Sequence, residues 1–282
     1  MPQEIRLVVS DLDGTLLNDR KEITPRALRA IAALQRQGIG FTVCTGREYA
    51  TLDAYASQIS PNVPMICNNG AEVIRYPTGE VISRTGLPAL PIAKLLTFCR
   101  QRGIDYCITT PREAYFMPGS SMVPFYRERW AEAQALGRPG LSVIPLAAEA
   151  LLPQGPFNKF ILRADLPQSA PAVEYIYREL PELTCTCSSR EIREVTPRGI
   201  NKADGLRQLC RYLGLRPEQC CAIGDYDNDV ELLQMAGLSV AMGNARPCAL
   251  AAASYRTRSN EEDGVALMLE HLLDTWILSS VG

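Results

Sequence analysis

Short apolar runs alternate with amphipathic stretches over the first 86 residues. Residues 5–9 are mostly apolar, which is typical of a buried parallel strand. Apolar residues then recur at helical spacing between Thr24, a predicted N-cap followed by Pro25, and Gly38, the predicted helix end. Two further strands and a hairpin are predicted at 41–44, 64–67 and 73–82, with the hairpin turning at 78–79.

The same alternation returns in the last third of the chain. Helices are predicted at 202–213, 229–236 and 265–278, and strands at 220–223 and 238–242. Strands that alternate with helices indicate an α/β fold with a doubly wound, Rossmann-like parallel sheet. Right-handed crossovers in such a sheet bring the carboxyl ends of the strands, and any ligand bound there, to one edge.

The middle of the chain differs in composition, with frequent prolines and aromatic residues between positions 87 and 190. A strand at 157–162 and a helix at 172–180 are predicted in this segment. We therefore predict two domains. The sheet domain is discontinuous and comprises residues 1–86 and 191–282, and an α+β domain, residues 87–190, is inserted in it.

Composition narrows the possible functions. The chain has 282 residues, of which 46% are hydrophobic, and a formal net charge of -2. The apolar fraction is that of a folded globular protein, and the near-neutral charge argues against binding nucleic acid by phosphate neutralisation. His271 is the single histidine, so a zinc site with several imidazoles is excluded. Its place in the closing helix predicts a surface residue.

The start of the chain has no signal-peptide pattern, and no apolar run reaches the 18 residues of a membrane span. We therefore expect a cytoplasmic protein with reduced thiols, a monomer or a homodimer that binds neither membrane nor nucleic acid. Seven of its ten cysteines lie in apolar surroundings, where a thiol packs as a small hydrophobic group. Cys185 and Cys187 form a C-x-C pair, for which strand packing is favoured over metal binding.

Polar residues that can carry chemistry follow the first two strands directly. Asp11 and Asp13 belong to D-x-D-G-T, where the chain leaves regular strand geometry and both carboxylates can face a crevice. After the second strand comes Thr45-Gly46-Arg47, whose hydroxyl and amide groups can hold a phosphoryl oxygen. On its own, this T-G-R segment is a weak signal, because the tripeptide is common and most often forms an ordinary loop.

Two further segments lie in the last third of the chain. Lys202 begins a helix and is one of only four lysines against twenty-five arginines, which indicates either a required compact charge or a solvated helix-start residue. Asp225, Asp227, Asn228 and Asp229 follow a predicted strand. Three acids so close together repel one another unless a cation or hydrogen bonds offset their charge, and Asp229 also suits a helix N-cap. Oxygen ligands without a nearby histidine favour Mg²⁺ at Asp225.

Together these segments resemble the haloacid dehalogenase (HAD) superfamily, and within it the Cof-type phosphatases. The order is D-x-D-G-T-L-L, then T-G-R, a large insertion, a lysine and G-D-x-x-N-D. Three supporting stretches also fit, namely N-N-G-A at 68–71, A-G-L-S-V-A-M-G-N-A at 236–245 and N-E-E-D-G-V-A at 260–266. The resemblance covers the whole sheet domain, and the insertion stands where the family carries its type IIB cap.

The resemblance implies a catalytic centre and a metal site. Asp11 is expected to be the nucleophile that forms an aspartyl-phosphate, and Asp13 the general acid and then the general base. Mg²⁺ is expected on Asp11, on the main-chain carbonyl of Asp13 and on Asp225, with Asp229 supporting its water shell.

The resemblance also implies a phosphate site and supporting residues. The phosphoryl group is expected to be bound by the amides of Leu12 and Gly46 and the side chains of Thr45, Lys202 and Asn228. Thr15 is a further supporting residue of the first segment. Arg47 is expected either to reach the substrate or to pair with an acid such as Asp227.

We therefore predict a Mg²⁺-dependent phosphomonoester hydrolase that acts on a small phosphorylated metabolite, either a sugar phosphate or a phosphorylated cofactor. Three alternatives remain open at this stage: a specialised sugar-phosphate phosphatase, a phosphomutase, and a non-catalytic sensor of phosphorylated metabolites. Tyr126, Arg129 and Lys159 in the insertion are possible substrate contacts, although core packing and solvation explain such residues better.

Overall fold

The computed structural model describes residues 4–135, 137, 140–146, 155–163, 169–187 and 192–279. The chain forms two compact units. The first comprises Met1–Gly46, Ala54–Ser83 and Asn201–Gly282, and the second comprises Arg47–Asp53 and Arg84–Ile200. The divisions at 83/84 and 200/201 lie near the predicted limits of 86/87 and 190/191, but residues 47–53 and 192–200, predicted in the sheet domain, belong to the second unit.

The first unit is built on a five-stranded parallel sheet with the strand order β14-β13-β12-β1-β2. Its strands are β1 (Leu7–Ser10), β2 (Gly40–Val43), β12 (Cys220–Gly224), β13 (Leu238–Ala241) and β14 (Tyr255–Arg256). The first four are buried or nearly so, which explains their continuous apolar runs. The predicted doubly wound parallel sheet is confirmed.

Helices cover this sheet. They are α1 (Pro25–Arg36), α2 (Asp53–Ile59), α6 (Lys202–Leu213), α7 (Val230–Met235), α8 (Pro247–Ala252) and α9 (Gly264–Ser279). The start of α1 is as predicted, because the Thr24 hydroxyl accepts a hydrogen bond from the amide of Ala27 at 3.1 Å. Since the step from β1 to β2 and the step from β12 to β13 run in opposite directions across the sheet, right-handed crossovers place α1 and α7 on opposite faces.

A short antiparallel sheet continues the first unit, with the order β3-β4-β5. Its strands are β3 (Met65–Cys67), β4 (Glu72–Arg75) and β5 (Glu80–Arg84), so the predicted hairpin at 73–82 is confirmed. Between β3 and β4 the chain makes a tight turn at residues 68–70, which we call the Asn-Asn-Gly turn. A single bridge from Cys44 to Ile66 joins β3 to the end of β2.

The second unit has its own six-stranded sheet, ordered β10-β11-β9-β6-β7-β8 and antiparallel except for the β7–β8 pair. Its strands are β6 (Tyr106–Thr109), β7 (Glu113–Phe116), β8 (Ser142–Pro145), β9 (Lys159–Arg163), β10 (Leu183–Cys187) and β11 (Ile192–Pro197), and its helices are α3 (Ala89–Arg102), α4 (Val123–Ala135) and α5 (Ala170–Glu179). Residues 192–197 were assigned to the sheet domain from sequence. They belong here because β11 pairs with β9 and β10.

The two faces of this second sheet differ. One face packs into an apolar core that includes residues of α3 and α5. The other face is partly apolar, around Phe116 and Tyr126, and partly charged. There Lys159 is buried in an ion pair with Glu194, and burial raises the pKa of the nearby Glu48 carboxyl.

The possible substrate contacts in the insertion have ordinary structural surroundings. Tyr126 is buried in the core, and the exposed Arg129 pairs with Glu132 at 2.9 Å. His271 is exposed on α9, as predicted. Nine cysteines are described as free thiols, and the side chain of Cys187 lies outside the described part. Across the residues that the structure covers, no helix has both the length and the hydrophobicity needed to cross a membrane.

The Asn-Asn-Gly turn gives a test of the first unit's packing. A Cβ at Gly70, whose φ is +93°, would lie 2.0 Å from the carbonyl oxygen of Asn201. Gly70→Ala is therefore expected to lower the free energy of unfolding by about 2–4 kcal/mol in urea denaturation. Gly38→Ala is the control, because Gly38 also has a positive φ of +79° but nothing within 4 Å. It is expected to cost about 1 kcal/mol. Equal losses in the two variants would contradict the packing argument.

Candidate active site

The strand order reverses between β1 and β12, and this is where ligands bind in open α/β sheets. The D-x-D segment follows β1 and the G-D-x-x-N-D segment follows β12. The amide of Asp11 donates to the carbonyl of Ile223 at 2.8 Å, which joins the two segments directly. Residues more than 200 positions apart in the chain therefore form one site.

Lys202 lies at the centre of this site. Its Nζ donates to Oδ1 of Asp11 and to Oδ1 of Asp229, each at 2.6 Å, and all three side chains are buried. A capping box between Asn201 and Asp204 starts α6 immediately before this lysine, which fixes where the helix begins. Of the two interpretations left open, the solvated lysine is excluded by this burial.

Burial and charge oppose each other within this cluster. Burial lowers the pKa of Lys202, but the carboxylates of Asp11 and Asp229 more than offset that effect, so its pKa lies above the usual value. Burial also raises the pKa of Asp11 well above its usual value, despite the opposing effect of Lys202. Lys202 is therefore held as a cation, whereas Asp11 needs further positive charge to ionise readily.

Asp229 organises the loop after β12. Its Oδ2 accepts hydrogen bonds from the amides of Asp225 and Tyr226, each at 3.0 Å. Asp229 occupies the N-cap position of α7, as the sequence allowed, but its side chain makes no capping hydrogen bond to that helix. Instead it connects Lys202 to the backbone that carries Asp225.

Asp225 is held by the segment after β1. Its Oδ1 accepts from the hydroxyl of Thr15 at 2.7 Å, and a Cβ at Gly14 would lie 2.5 Å from its Oδ2. The glycine, with a φ of +80°, therefore allows this close approach. Burial raises the pKa of Asp225 to about 6, against the effect of the Thr15 hydrogen bond.

One carboxylate oxygen from each of Asp11, Asp225 and Asp229 lies within 4.8 Å of the other two. All three side chains are buried, whereas Lys202 supplies a single positive charge. A set of hard oxygen donors with excess negative charge fits a divalent cation of the Mg²⁺ type. Of the predicted metal residues, Asp11 and Asp225 belong to this cluster.

Asp13 is less buried than the three aspartates of the carboxylate cluster. Its side chain is 37% exposed, and its Oδ1 accepts from Nζ of Lys21 at 3.0 Å. Lys21 was not predicted as a site residue, although the scarcity of lysine in the chain already distinguished it. The two aspartates of D-x-D therefore each have a lysine partner, one buried and one exposed.

The T-G-R segment is anchored by backbone hydrogen bonds. The amide of Thr45 donates to the carbonyl of Ile66, and its carbonyl accepts from the amide of Asn69, both at 3.0 Å. Thr45 is buried and Gly46 is partly exposed at the end of the first unit. Arg47 begins the second unit, and its contact with the substrate or with Asp227 remains a prediction. Asp227 itself pairs with Arg246 at 2.9 Å.

The remaining predicted residues and supporting stretches also lie at this sheet edge. Leu12 is fully buried behind Asp11, and Asn228 donates from Nδ2 to Oδ1 of Asn69 at 3.0 Å. Asn244 donates to the carbonyl of Gly14 at 2.8 Å, and Asn260 donates to that of Leu17 at 3.1 Å. Through these last two contacts, two of the supporting stretches late in the chain hold the loop after β1.

Comparison with known proteins identifies the family. The profile of the haloacid dehalogenase-like hydrolases matches residues 8–269. The chain belongs to this family. The predicted family and the predicted enzyme class, a phosphatase of the HAD superfamily, are confirmed.

Individual HAD relatives match over nearly the whole chain. Phosphatase YwpJ of Bacillus subtilis is 29% identical and covers 95% of this chain and 100% of its own length. The 5-amino-6-(5-phospho-D-ribitylamino)uracil phosphatase YitU of the same organism is 28% identical, covering 94% and 96%. A crystal structure of a haloacid dehalogenase-like hydrolase from Bacteroides thetaiotaomicron matches with a TM-score of 0.80 at 28% identity, covering 95% and 100%.

The two lysine contacts of D-x-D differ in burial and give a matched test. Lys202→Ala leaves Asp11 and Asp229 buried without their cation, and we expect it to lower the free energy of unfolding by about 3–5 kcal/mol in metal-free buffer. Lys21→Ala removes an exposed pair and is expected to cost at most about 1 kcal/mol. Urea denaturation measures both, and a loss as small for Lys202→Ala as for Lys21→Ala would contradict the buried network.

Cation binding is expected to depend on pH through Asp225. A proton on this carboxyl competes with the cation, so affinity is lost as the pH falls through a pKa of about 6. We expect Mg²⁺ to bind about tenfold more weakly at pH 5 than at pH 7.5 in calorimetric titration. Thr15→Val removes a hydrogen bond that lowers this pKa and is expected to move the transition to higher pH. An affinity that is constant between the two pH values would contradict the assignment.

Proposed function

We propose that this protein is a Mg²⁺-dependent phosphomonoester hydrolase that works through an aspartyl-phosphate on Asp11. The observation that carries the proposal is the buried contact of Lys202 with both Asp11 and Asp229, beside Asp225, at the point where the strand order reverses. Each of these residues belongs to a segment that the sequence independently related to HAD phosphatases.

Asp11 is the nucleophile of the proposed reaction. Its carboxylate attacks phosphorus, the bond from phosphorus to the ester oxygen breaks, and the phosphoryl group is transferred to Asp11. The carboxylate must be ionised for this attack, which burial opposes and Lys202 favours. Mg²⁺, held by Asp11, Asp225 and the main-chain carbonyl of Asp13, would add positive charge there and lower the repulsion between nucleophile and phosphate.

Asp13 moves the protons. It donates a proton to the leaving alkoxide in the first step and accepts one from the attacking water in the second, which releases inorganic phosphate and regenerates Asp11. Its side chain is suited to this role, because its partly exposed carboxyl is accessible to water.

The phosphoryl oxygens are bound by donors from four segments. We assign this role to the amides of Leu12 and Gly46, the hydroxyl of Thr45, the ammonium of Lys202 and the amide group of Asn228. Donors held in place by buried contacts stabilise the charge of a transferring phosphoryl group without reorganising during the step. Asp229 supports the arrangement through its contacts with Lys202 and the loop amides.

We infer a small phosphorylated metabolite as the substrate. The relative YitU is named for a phosphorylated ribitylamino compound, and this chain matches it over nearly its whole length. Sugar phosphates, sugar-alcohol phosphates and phosphorylated cofactors are therefore the compounds to test first.

The test is phosphate release from a panel of such compounds, with Mg²⁺ and with EDTA. The wild type is expected to release phosphate only with Mg²⁺, and Asp11→Asn is expected to lower kcat at least about a thousandfold. Asp13→Asn is expected to lower kcat strongly while inorganic phosphate still binds. Release that continues undiminished in Asp11→Asn would contradict the mechanism, and no release by a folded, Mg²⁺-binding wild type from any compound would contradict the function.

A further inference from the structure

The Asn-Asn-Gly turn has an uncommon backbone. Three consecutive residues adopt positive φ values, 51° at Asn68, 53° at Asn69 and 93° at Gly70. Left-handed geometry costs a non-glycine residue free energy, although asparagine tolerates it better than most residues. Both asparagines are nevertheless buried, with 1% and 4% of their surface exposed. Surrounding contacts must therefore hold the turn in this conformation.

Those contacts connect the turn to three segments of the proposed phosphate site. The amide of Asn69 donates to the carbonyl of Thr45 at 3.0 Å. Gly70 packs against the carbonyl of Asn201, the residue before Lys202, so closely that a Cβ would clash. The side chain of Asn69 accepts from Nδ2 of Asn228 at 3.0 Å.

The two asparagines of the turn have different partners. Asn68 donates from Nδ2 to the buried carboxylate of Glu72 at 2.6 Å, which is a contact within the turn and β4. Asn69 instead reaches a residue 159 positions away, at the end of β12. The side chain of Asn68 thus supports the turn itself, whereas that of Asn69 acts outside it.

We propose that Asn69 is a positioning residue that fixes which end of the Asn228 amide faces the phosphoryl group. As long as Oδ1 of Asn69 faces it, the Asn228 amide cannot exchange its nitrogen and oxygen without placing two carbonyl oxygens against each other. The second N–H is then presented to the phosphoryl oxygens, whereas a rotated amide would present an oxygen and repel them. This inference rests on the proposed function, in which Asn228 binds the phosphoryl group.

The test is a double-mutant cycle on the Mg²⁺-loaded protein. Asn69→Gly removes the side chain and keeps the left-handed backbone without strain. We expect it to lower kcat/KM about 3–10-fold in the wild-type background and less than twofold in an Asn228→Ala background. Isothermal titration with inorganic phosphate is expected to show the same non-additivity, which provides a readout independent of turnover.

Asn68→Gly is the matched control. It makes the same substitution in the same turn, at nearly the same φ, without touching Asn228. We expect it to lower the melting temperature and to give the same fold-change of kcat/KM with and without Asn228. If Asn69→Gly does not fold, Asn69→Ala replaces it in the cycle, because it also removes the side-chain acceptor, at the cost of some strain in the left-handed backbone.

The outcomes separate this inference from the proposed function. If Asn69→Gly and Asn228→Ala act additively on both kcat/KM and phosphate affinity, Asn69 is only a turn residue and the inference is wrong. If the wild type releases no phosphate from any compound of the panel, the proposed function has failed. In that case, the affinities of the single and double variants for inorganic phosphate still show whether Asn69 and Asn228 are coupled.

Discussion

The arrangement of the first unit depends on one buried ammonium group. Lys202 is shared by Asp11 and Asp229, which lie far apart in the chain and follow different strands. Taking two carboxylates out of water is costly, and only an equally buried cation with good geometry offsets that cost. The position of Lys202 therefore constrains the start of α6, the loop after β1 and the loop after β12 together.

A second constraint comes from the backbone around that network. Gly14 allows Asp225 to approach the loop after β1, and Gly70 allows α6 to approach the Asn-Asn-Gly turn. Asn244 and Asn260 hold the same β1 loop through its carbonyl groups. The chemistry assigned to a few carboxylates thus depends on glycines and asparagines that bear no charge. Their role is to set distances, and a proposed phosphoryl-transfer site is sensitive to distance.

The sheet of the second unit differs from that of the first in strand direction and in the polarity of its two faces. Its sheet is largely antiparallel and has an apolar face under α3 and α5. The opposite face carries a buried Lys159–Glu194 pair, with Glu48 nearby. From sequence, Lys159 was a possible substrate contact, and its burial beside Glu194 follows from the pairing of strands β9 and β11. Whether a charged side chain on a sheet face is paired depends on its neighbours on the adjacent strands. The spacing of residues in the sequence does not reveal those neighbours.

By itself, the sequence determined the local elements and predicted the segments that carry the proposed site residues. The N-cap at Thr24, the hairpin at 73–82 and the four chemistry-bearing segments depend on neighbours within a few positions, and such short-range rules can be read directly. The tertiary structure decided the contacts between those segments. It placed residues 192–197 in the sheet of the second unit. It also paired Asp13 with Lys21 and Asp229 with Lys202. Finally, it brought Asn228 within hydrogen-bonding distance of Asn69. Except for the exposed Asp13–Lys21 pair, whose residues are only eight positions apart, these outcomes depend on strand pairing and burial between residues far apart in the chain, which local propensity does not determine.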